Sequence, residues 1–228
     1  MDLAFYTYFY GSDRNDSYRI PDVPSIQYNC YFYTNNLKLF KQLGDTKWIR
    51  IYDNKPSKDD VIESCMIGKY IKALPHEYQS LAKHHYLCYF DTKIPYKINV
   101  EFVEQSIKQY FVQESYALLL RHHWFIDGNV WDEFKVSMDQ VRYQKQKKQY
   151  IDYINEQINS GLSATTESHC ATGFLIRNMR HSRIREVNEV WYNHIKHCGI
   201  QCQIAFFFVK QIFPRELILP FRQVPYIQ

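Results

Sequence analysis

The sequence alternates short runs of aromatic and β-branched residues with segments that have helical spacing. Strand-like runs bounded by turn residues occupy residues 3–10, 28–35, 48–53, 85–93, 116–123 and 171–178. Apolar residues recur at helical intervals in residues 59–74, 100–115, 137–160 and 185–198. Strands that alternate with helices predict an α/β fold, with a mixed, mainly parallel central sheet flanked by helices. The pattern contains no repeat and no linker, so we predict a single domain over residues 1–228.

Composition excludes several classes of protein. Aromatic residues make up 17% of the chain, with 20 Tyr and 15 Phe, which excludes intrinsic disorder. No uncharged apolar run approaches the roughly 18 residues that a transmembrane helix needs, so no membrane span is predicted. Residues 1–14 lack the features of a signal peptide and predict a first strand. Six scattered cysteines favour reduced thiols in the cytoplasm, or in the host cytoplasm if the protein is virus-encoded.

The charge balance argues against nucleic acid as a partner. The chain has 28 basic and 24 acidic residues, and a net charge of +4 is too small for binding nucleic acid through bulk charge. A nucleic-acid-binding protein stays an alternative, and it would use two groups of basic residues. They are Arg177, Arg180, Arg183 and Arg185, and the helix face at Lys145, Lys147 and Lys148. Glutamines and acids dilute the second group, which favours a solvated helix face.

Two cysteines and two histidines near residue 200 raise the question of a zinc site. Cys198 and Cys202 lie beside His194 and His197. The spacing includes neither a CxxC knuckle nor a second ligand pair of the zinc-finger type. We therefore predict that both cysteines pack in the interior and hold no zinc.

Polar residues follow three of the predicted strands, at Tyr10–Asp13, Thr34–Asn36 and Asp91–Lys93. In open α/β sheets, ligands bind outside the carboxyl ends of the strands. Asp91 ends an almost wholly apolar strand, a position typical of a divalent-cation site that holds a diphosphate. An aspartate that caps the next turn explains it equally well. The sequence has no phosphate-loop, dinucleotide-binding or hydrolase-elbow motif.

Eight short motifs are spread over nearly the whole chain. They are Tyr6–Asp13, Phe32–Asn36, Trp48–Arg50, Lys69–His76, Tyr89–Lys93, His122–His123 with Trp131–Glu133, Gln157 with Gly161–Leu162, and Phe174–Arg177. In this order they resemble a glycosyltransferase-like family with a GT-A-type fold, formerly classed as a domain of unknown function. Its plant members act in mucilage and cell-wall biology, and stand-alone members occur in bacteria and large algal viruses.

The resemblance implies a glycosyltransferase that moves a hexose or pentose from a UDP- or GDP-sugar to a glycan or other hydroxyl acceptor. It implies donor-binding residues at Tyr6, Thr7, Gly11, Asp13, Asn35, Lys69, Lys72, His76, Asp91, Lys93 and Arg177. Among these, the tyrosines of residues 6–10 are candidates for a nucleobase slot, or for the core. The implied catalytic residues are Glu133, His123, Glu167 and His169.

The resemblance also implies a divalent cation, Mn²⁺ or Mg²⁺, with Asp91 as its ligand. GT-A enzymes commonly offer two acids at this strand end, whereas this chain has Lys93 in the second position. A protonated lysine cannot ligate a cation, but it can neutralise a phosphate directly. We therefore expect weak dependence on the metal, or none.

Two departures from the family remove carboxylates. Ala171 stands where the family has a Glu, and Gln201-Cys202-Gln203 stands where it has Arg-Asp-Gln. Either acid is of a type that can serve as a general base or substrate anchor. Glu167, His169 and Glu133 are the candidates to replace them. The alternative is a catalytically impaired relative that binds carbohydrate or nucleotide.

Overall fold

The computed structural model describes residues 1–227, and a mixed sheet of seven strands lies at its centre. The strands are β1 (Leu3–Phe9), β2 (Asn29–Thr34), β3 (Ile49–Tyr52), β4 (Tyr86–Phe90), β5 (Lys97–Ile98), β6 (Leu118–His122), β7 (Cys170–Asn178), β8 (Ile218–Phe221) and β9 (Tyr226–Ile227). The order across the sheet is β3-β2-β1-β4-β7-β6-β8. The short strands β5 and β9 form a separate antiparallel pair.

One strand, β7, runs against the rest of the sheet. β1, β2, β3 and β4 are parallel, β7 lies antiparallel between β4 and β6, and β8 is parallel to β6. The register pairs Phe90, at the end of β4, with Phe174 in the first half of β7. The beginning of β7 therefore meets the carboxyl end of β4. The prediction of a mixed, mainly parallel sheet is confirmed.

Helices flank the sheet. They are α1 (Leu37–Gln42), α2 (Val61–Ala73), α3 (Gln79–Ala82), α4 (Val100–Ser106), α5 (Val130–Ser137), α6 (Val141–Gln144), α7 (Lys147–Asn159), α8 (Ile184–Cys198) and α9 (Cys202–Ile212). A π-helical segment over Ile107–Gln113 extends α4. Short 3₁₀ helices occupy Leu43–Asp45 and Pro75–Glu77. Within residues 1–227, none of the helices has the length and apolar character that crossing a membrane requires.

Side chains on the two faces of the sheet enter separate cores. Along β1, Ala4 and Tyr6 belong to one core and Leu3 and Phe5 to the other, as the two-residue period of a strand requires. The first core contains the buried faces of α8 and α9, and the second contains that of α4. β4 is buried at every position, which explains its continuous apolar run.

Two helical regions differ from the sequence pattern. The helix predicted over residues 137–160 is interrupted between α6 and α7, where the backbone of Gln146 leaves helical geometry. Its Oε1 accepts hydrogen bonds from the amide of Ile200 and from the hydroxyl of Tyr150, both at 3.0 Å. The helices predicted from the sequence do not include α9, whose residues from Ile204 to Val209 are all buried.

A buried arginine joins the sheet to the helices. Arg177 lies within β7 and is fully buried. Its guanidinium donates hydrogen bonds to the carbonyl of Lys72 (2.7 Å) and to the hydroxyl of Tyr6 (3.0 Å). A third goes to Oδ1 of Asn188 (3.0 Å) on α8. The carbonyl of Lys72 lies in the last turn of α2, where the helix dipole is negative and stabilises the cation.

Two of the residues predicted to bind the donor, Arg177 and Tyr6, lie in this environment. Both side chains are enclosed in the core and bond to each other. The reason is the strand period: both point to the interior side of the sheet under α2 and α8. We assign them a structural role.

We expect Arg177→Met to lower the free energy of unfolding by about 3 kcal/mol, because it leaves buried acceptors without donors. Arg180→Met is the matched control. Arg180 is exposed, so this change should stay within about 0.5 kcal/mol. Urea unfolding followed by circular dichroism measures both. Equal stability of the two variants would contradict the role assigned to Arg177.

Candidate active site

A cleft with two lobes lies where the carboxyl ends of β1 and β4 meet the beginning of β7. The first lobe has a volume of about 170 Å³ and is lined by residues that include Tyr8, Tyr10, Lys69, Arg142 and Tyr143. The second has a volume of about 480 Å³ and is lined by residues that include Tyr96, Arg121, Trp124, Gln203 and Tyr226. Asp91 and Lys93 line both lobes. They therefore occupy the junction, at the strand end that the sequence predicts.

Asp91 is held in place by groups on three elements. Its amide donates to the carbonyl of Gly173 on β7 at 2.8 Å. Its Oδ1 accepts a hydrogen bond from the hydroxyl of Tyr89 and lies 3.5 Å from Nζ of Lys72 on α2. The side chain of Asp91 is 42% exposed, whereas that of Lys72 is 1% exposed. The carboxylate thus reaches the cleft while its cationic partner stays in the interior.

The electrostatic surroundings keep Asp91 ionised. Burial acts to raise the pKa of this carboxyl, but the charges of Lys72 and Lys69 and the hydrogen bond from Tyr89 outweigh it. The pKa of Asp91 therefore lies below its usual value. Burial lowers the pKa of Lys72, and the charge of Asp91 opposes this effect. At neutral pH we treat the two groups as an ion pair.

Three cationic side chains line the first lobe. Lys69 comes from α2, Arg142 from α6 and Lys93 from the turn after β4. In residues 1–227, Lys69 and Lys93 make neither a side-chain hydrogen bond nor an ion pair with another residue. Arg142 donates only to neutral groups, Oε1 of Gln140 (3.1 Å) and the hydroxyl of Tyr143 (2.9 Å). Partial burial and the charge of Arg142 lower the pKa of Lys93.

Cys202 lies beside the same lysines, at the start of α9. Its Sγ is 3.2 Å from Oγ1 of Thr172, which is 3.4 Å from Nζ of Lys72. Burial acts to raise the pKa of this thiol, but the charges of Lys69 and Lys72 bring it below its usual value. The thiol of Cys202 therefore lies next to two cations, at one of the positions where the sequence departs from the family that it resembles.

Cys198 and Cys202 are both buried, as predicted. Cys198 donates to the carbonyl of Gln201 at 3.8 Å. The ring of His194 instead meets the hydroxyl of Tyr153 at 2.6 Å. Cys198 and His194 therefore have separate partners.

Three of the four residues predicted as catalytic converge, but behind the cleft wall. Glu133 on α5 is buried, and its Oε2 accepts from Nε2 of His169 at 3.1 Å and lies 3.9 Å from Nε2 of His123. Its Oε1 accepts from Nε2 of Gln201 (2.7 Å) and of Gln203 (2.9 Å). Of these five residues, only Gln203 lines the cleft. We therefore regard Glu133 as a positioning residue for Gln203, and the catalytic roles expected for Glu133, His123 and His169 stay predictions.

The fourth predicted catalytic residue lies elsewhere. Glu167 is exposed and pairs with Arg215 at 3.0 Å. His76, predicted to bind the donor, lies 3.3 Å from Glu77 and 3.7 Å from Glu189. Neither Glu167 nor His76 lines the cleft, and Glu167 lies in the wall of a separate cavity.

Four more predicted donor-binding residues shape the loops around the first lobe. Oγ1 of Thr7 donates to the carbonyl of Phe90 at 2.7 Å, which links β1 to β4. Oδ1 of Asn35 accepts from the amide of Gly11 at 3.0 Å. Oδ1 of Asp13 accepts from the amide of Leu37 at 2.7 Å. These polar groups are used within the protein, so Thr7, Gly11, Asp13 and Asn35 support the cleft without lining it.

Several lining residues are missing from the sequence prediction. Arg142 reaches the first lobe only because the chain breaks between α6 and α7, and the sequence gives no signal of that approach. Trp124 follows β6 and is 63% exposed. A large aromatic pair, Trp124-Phe125, immediately after a strand is a signal that could have indicated a binding surface.

The residues of the cleft do not fit a divalent cation. Such ions take several oxygen ligands, commonly from two or more carboxylates. Among residues 1–227, Asp91 is the one carboxylate in the lining of either lobe, and its Oδ1 already interacts with Tyr89 and Lys72. In residues 1–227, His, Cys, Asp and Glu form no group of three or more that could hold a metal.

His123 gives the buried cluster a measurable pH dependence. Its Nδ1 accepts from the amide of Ile126 at 3.2 Å, which fixes the neutral ring. Burial, together with the charges of His169 and Arg121, lowers the pKa of His123 to about 4 despite the opposing charge of Glu133. In the unfolded chain the pKa is about 6.5, so the unfolded state gains a proton first as the pH falls.

We therefore expect acid to destabilise the folded chain, and His123 to contribute about 2 kcal/mol of the loss between pH 7 and pH 5. The His123→Asn variant keeps an acceptor for the amide of Ile126 and does not titrate in this range. Between pH 7 and pH 5, the free energy of unfolding of the variant should fall by about 2 kcal/mol less than that of the wild type. Urea unfolding at both pH values measures the difference, and parallel curves for the two proteins would refute it.

Comparison of the sequence with protein-family models gives no match, and comparison with curated proteins gives none either. Solved structures do match. The apo form of mouse xyloside xylosyltransferase 1 matches with a TM-score of 0.53 at 11% identity, over 97% of this chain and 85% of that chain.

Two further structures match with lower TM-scores. A glycosyltransferase involved in the glycosylation of the major capsid of PBCV-1 gives 0.41 at 7% identity, over 97% of this chain and 83% of that chain. Core-mannan synthase A from Aspergillus fumigatus, in its Mn/GDP form, gives 0.44 at 13% identity, over 93% of this chain and 69% of that chain. The xylosyltransferase match, together with the sheet described above, shows that the chain has the GT-A-like α/β fold predicted from its sequence.

Proposed function

We propose that this protein is a glycosyltransferase that moves a sugar from a nucleoside-diphosphate sugar to a hydroxyl group of a glycan acceptor. The observation that carries the proposal is the two-lobed cleft. A cationic lobe and an aromatic lobe meet at Asp91 and Lys93, at the carboxyl edge of the sheet. This edge is where open α/β sheets bind their ligands. The GT-A-like fold is in agreement with this assignment.

The first lobe is suited to the donor. Lys69, Lys93 and Arg142 supply positive charge for a diphosphate. Tyr8 and Tyr10 line the same lobe, and their ring centroids are 5.7 Å apart. Aromatic faces of this kind stack on nucleobases without regard to base identity, so either UDP or GDP agrees with the lining.

The second lobe is suited to a carbohydrate acceptor. Trp124 and Tyr96 are 63% and 54% exposed and line the same lobe, so together they form an exposed aromatic surface of the kind that marks binding sites. The guanidinium of Arg121 lies 4.8 Å from the ring centre of Trp124 and 5.3 Å from that of Tyr226. These contacts hold the rings in place, as a platform for the apolar face of a sugar requires.

Asp91 lies between the two substrates. Its Oδ2 has no hydrogen bond from the described residues and lies near Gly173, where an added Cβ would come within 3.1 Å. The free oxygen is positioned to accept a hydrogen bond from a sugar hydroxyl or to stabilise positive charge at the anomeric carbon. Gly173 leaves the space that this oxygen needs.

In the transfer, a bond forms between the acceptor oxygen and the anomeric carbon, and the bond from that carbon to the diphosphate oxygen breaks. The bonding electrons leave with the diphosphate, whose charge the cations of the first lobe stabilise. The proton of the acceptor hydroxyl passes to the departing diphosphate. Asp91 is a poor base for this proton, because its pKa is held low by Lys72 and Lys69 despite burial.

A second candidate function is binding of a nucleotide or carbohydrate without catalysis. One observation favours it: Glu133, His123 and His169 are buried behind Gln203, so the described residues present neither a free imidazole nor a second carboxylate to the cleft. The two functions differ in a single measurement. An enzyme releases free nucleotide from the donor when an acceptor is present, and a binding protein does not.

The first test is a thermal-shift screen of UDP- and GDP-sugars. Ligand at about 100 times its Kd adds about 2.7 kcal/mol, which for a chain of this size raises Tm by roughly 5–10 °C. We expect such a shift with a nucleotide sugar and little shift with single-stranded or duplex oligonucleotides. A large shift with oligonucleotides that is lost in salt, and none with any nucleotide sugar, would support the nucleic-acid alternative.

The second test addresses the acceptor lobe. We expect Trp124→Ala to raise the KM for the acceptor about tenfold, equivalent to 1.4 kcal/mol, with the donor Kd unchanged. Phe125→Ala is the matched control, because Phe125 is exposed next to Trp124 but does not line the lobe. Kinetics of nucleotide release in wild type and both variants give the comparison. Equal effects of the two substitutions would remove Trp124 from the acceptor site.

A further inference from the structure

We propose that Lys69, Lys93 and Arg142 bind the diphosphate of the donor directly, and that Asp91 acts as the counter-ion of Lys72 and not as a metal ligand. This inference rests on the proposed function and specifies how its donor site works. In many phosphate sites a divalent cation stabilises the negative charge of the phosphates. Here Lys69, Lys93 and Arg142 take that role.

The first step of the argument concerns the carboxylate. Lys72 is enclosed in the interior, and its Nζ has two polar neighbours, Oδ1 of Asp91 at 3.5 Å and Oγ1 of Thr172 at 3.4 Å. An ammonium group removed from water needs a nearby negative charge. If Asp91 turned away to ligate a metal, Lys72 would be left with two neutral neighbours, the hydroxyl of Thr172 and the ring of Tyr89, 4.9 Å away.

The second step concerns the space around Asp91. A metal bound at this carboxylate would lie close to the ammonium of Lys72, and also near Lys93, which lines both lobes with Asp91. Like charges at such separations repel strongly in a partly buried site. The lining contributes no second carboxylate to offset this repulsion.

The third step concerns the charge that is left over. Lys69, Lys93 and Arg142 line the first lobe, Lys72 lies buried behind Asp91, and Asp91 is the one carboxylate among these residues in the described part of the chain. Even if the thiol of Cys202 were ionised, positive charge would remain in excess. Cations held together without anionic partners are destabilised by mutual repulsion. A bound diphosphate relieves this repulsion, so the lobe has the charge of an anion site.

The geometry of Arg142 supports the assignment. Its Nε donates to Gln140 and one terminal nitrogen donates to Tyr143, which fixes the plane of the guanidinium. The guanidinium also lies 4.5 Å from the ring centre of Tyr143. An oriented guanidinium can bind two phosphate oxygens at once, whereas a lysine acts as a point charge.

Titration calorimetry with UDP and with GDP, in EDTA and in excess Mn²⁺, tests the proposal. We expect at least one nucleotide to bind in EDTA, and we expect Mn²⁺ not to tighten binding, because it competes with the protein cations for the same oxygens. Arg142→Gln and Lys93→Gln should each raise the Kd in EDTA about tenfold or more. Lys145→Gln, which removes an equal charge from a residue outside the cleft lining, should change it less than twofold.

The outcomes separate this inference from the proposed function. Binding of UDP or GDP only in the presence of Mn²⁺ would overturn the direct site and leave the glycosyltransferase proposal standing. Absence of binding under both conditions would overturn both. Binding in EDTA that is unaffected by Arg142→Gln and Lys93→Gln would place the diphosphate elsewhere and refute the assignment.

Electron paramagnetic resonance of Mn²⁺ provides a readout without nucleotide. We expect wild-type protein to show no stoichiometric Mn²⁺ binding at micromolar metal, and Asp91→Asn to give the same spectrum. One tightly bound Mn²⁺ per chain that is lost in Asp91→Asn would show that Asp91 is a metal ligand, against the proposal.

Discussion

Lys72 makes two interactions at different ends of the same residue, and the rest of the architecture depends on both. Its backbone carbonyl, at the end of α2, accepts the hydrogen bond from the buried guanidinium of Arg177. Its ammonium group, also buried, pairs with Asp91 at the tip of β4. Neither the guanidinium of Arg177 nor the ammonium of Lys72 can reach water, so each needs its partner in the interior. The helix α2 must therefore keep its position on the sheet. The same constraint that packs the helix therefore sets the position of the carboxylate in the cleft.

The two lobes of the cleft lie on opposite sides of the Asp91 carboxylate and are lined by different kinds of side chain. On one side α2, α6 and the turn after β4 bring cations together with tyrosines from β1 and its end. On the other side the segment after β6, the start of β7 and the residues around Tyr226 provide aromatic rings. Glu133 and its two histidines lie behind Gln203, and Glu133 accepts a hydrogen bond that holds the side chain of Gln203 in the wall of the second lobe. Charge for a diphosphate and apolar surface for a sugar thus meet where a transfer would occur.

The parts of this arrangement that follow from local pattern were predictable, and those that depend on distant contacts were not. The apolar run Tyr86–Phe90 and the polar residues after it correctly located a strand and its tip. Arg142 escaped prediction because its place depends on the break that Gln146 makes by bonding to the amide of Ile200, a distant residue. The surroundings of Glu133 were not predictable, since nothing local in the sequence reveals the four side chains that donate hydrogen bonds to its carboxylate.

The antiparallel direction of β7 has a consequence for the energetics of binding. Asp91 donates its amide to Gly173, a residue inside a central strand, at 2.8 Å. In a fully parallel sheet the neighbouring position would belong to the connection that follows a strand, and such connections are mobile. Here the conformational entropy of the Asp91 carboxylate is lost when the chain folds. Ligand binding therefore carries no further entropic cost for ordering this group, and the site is preorganised by its sheet and not by its loops.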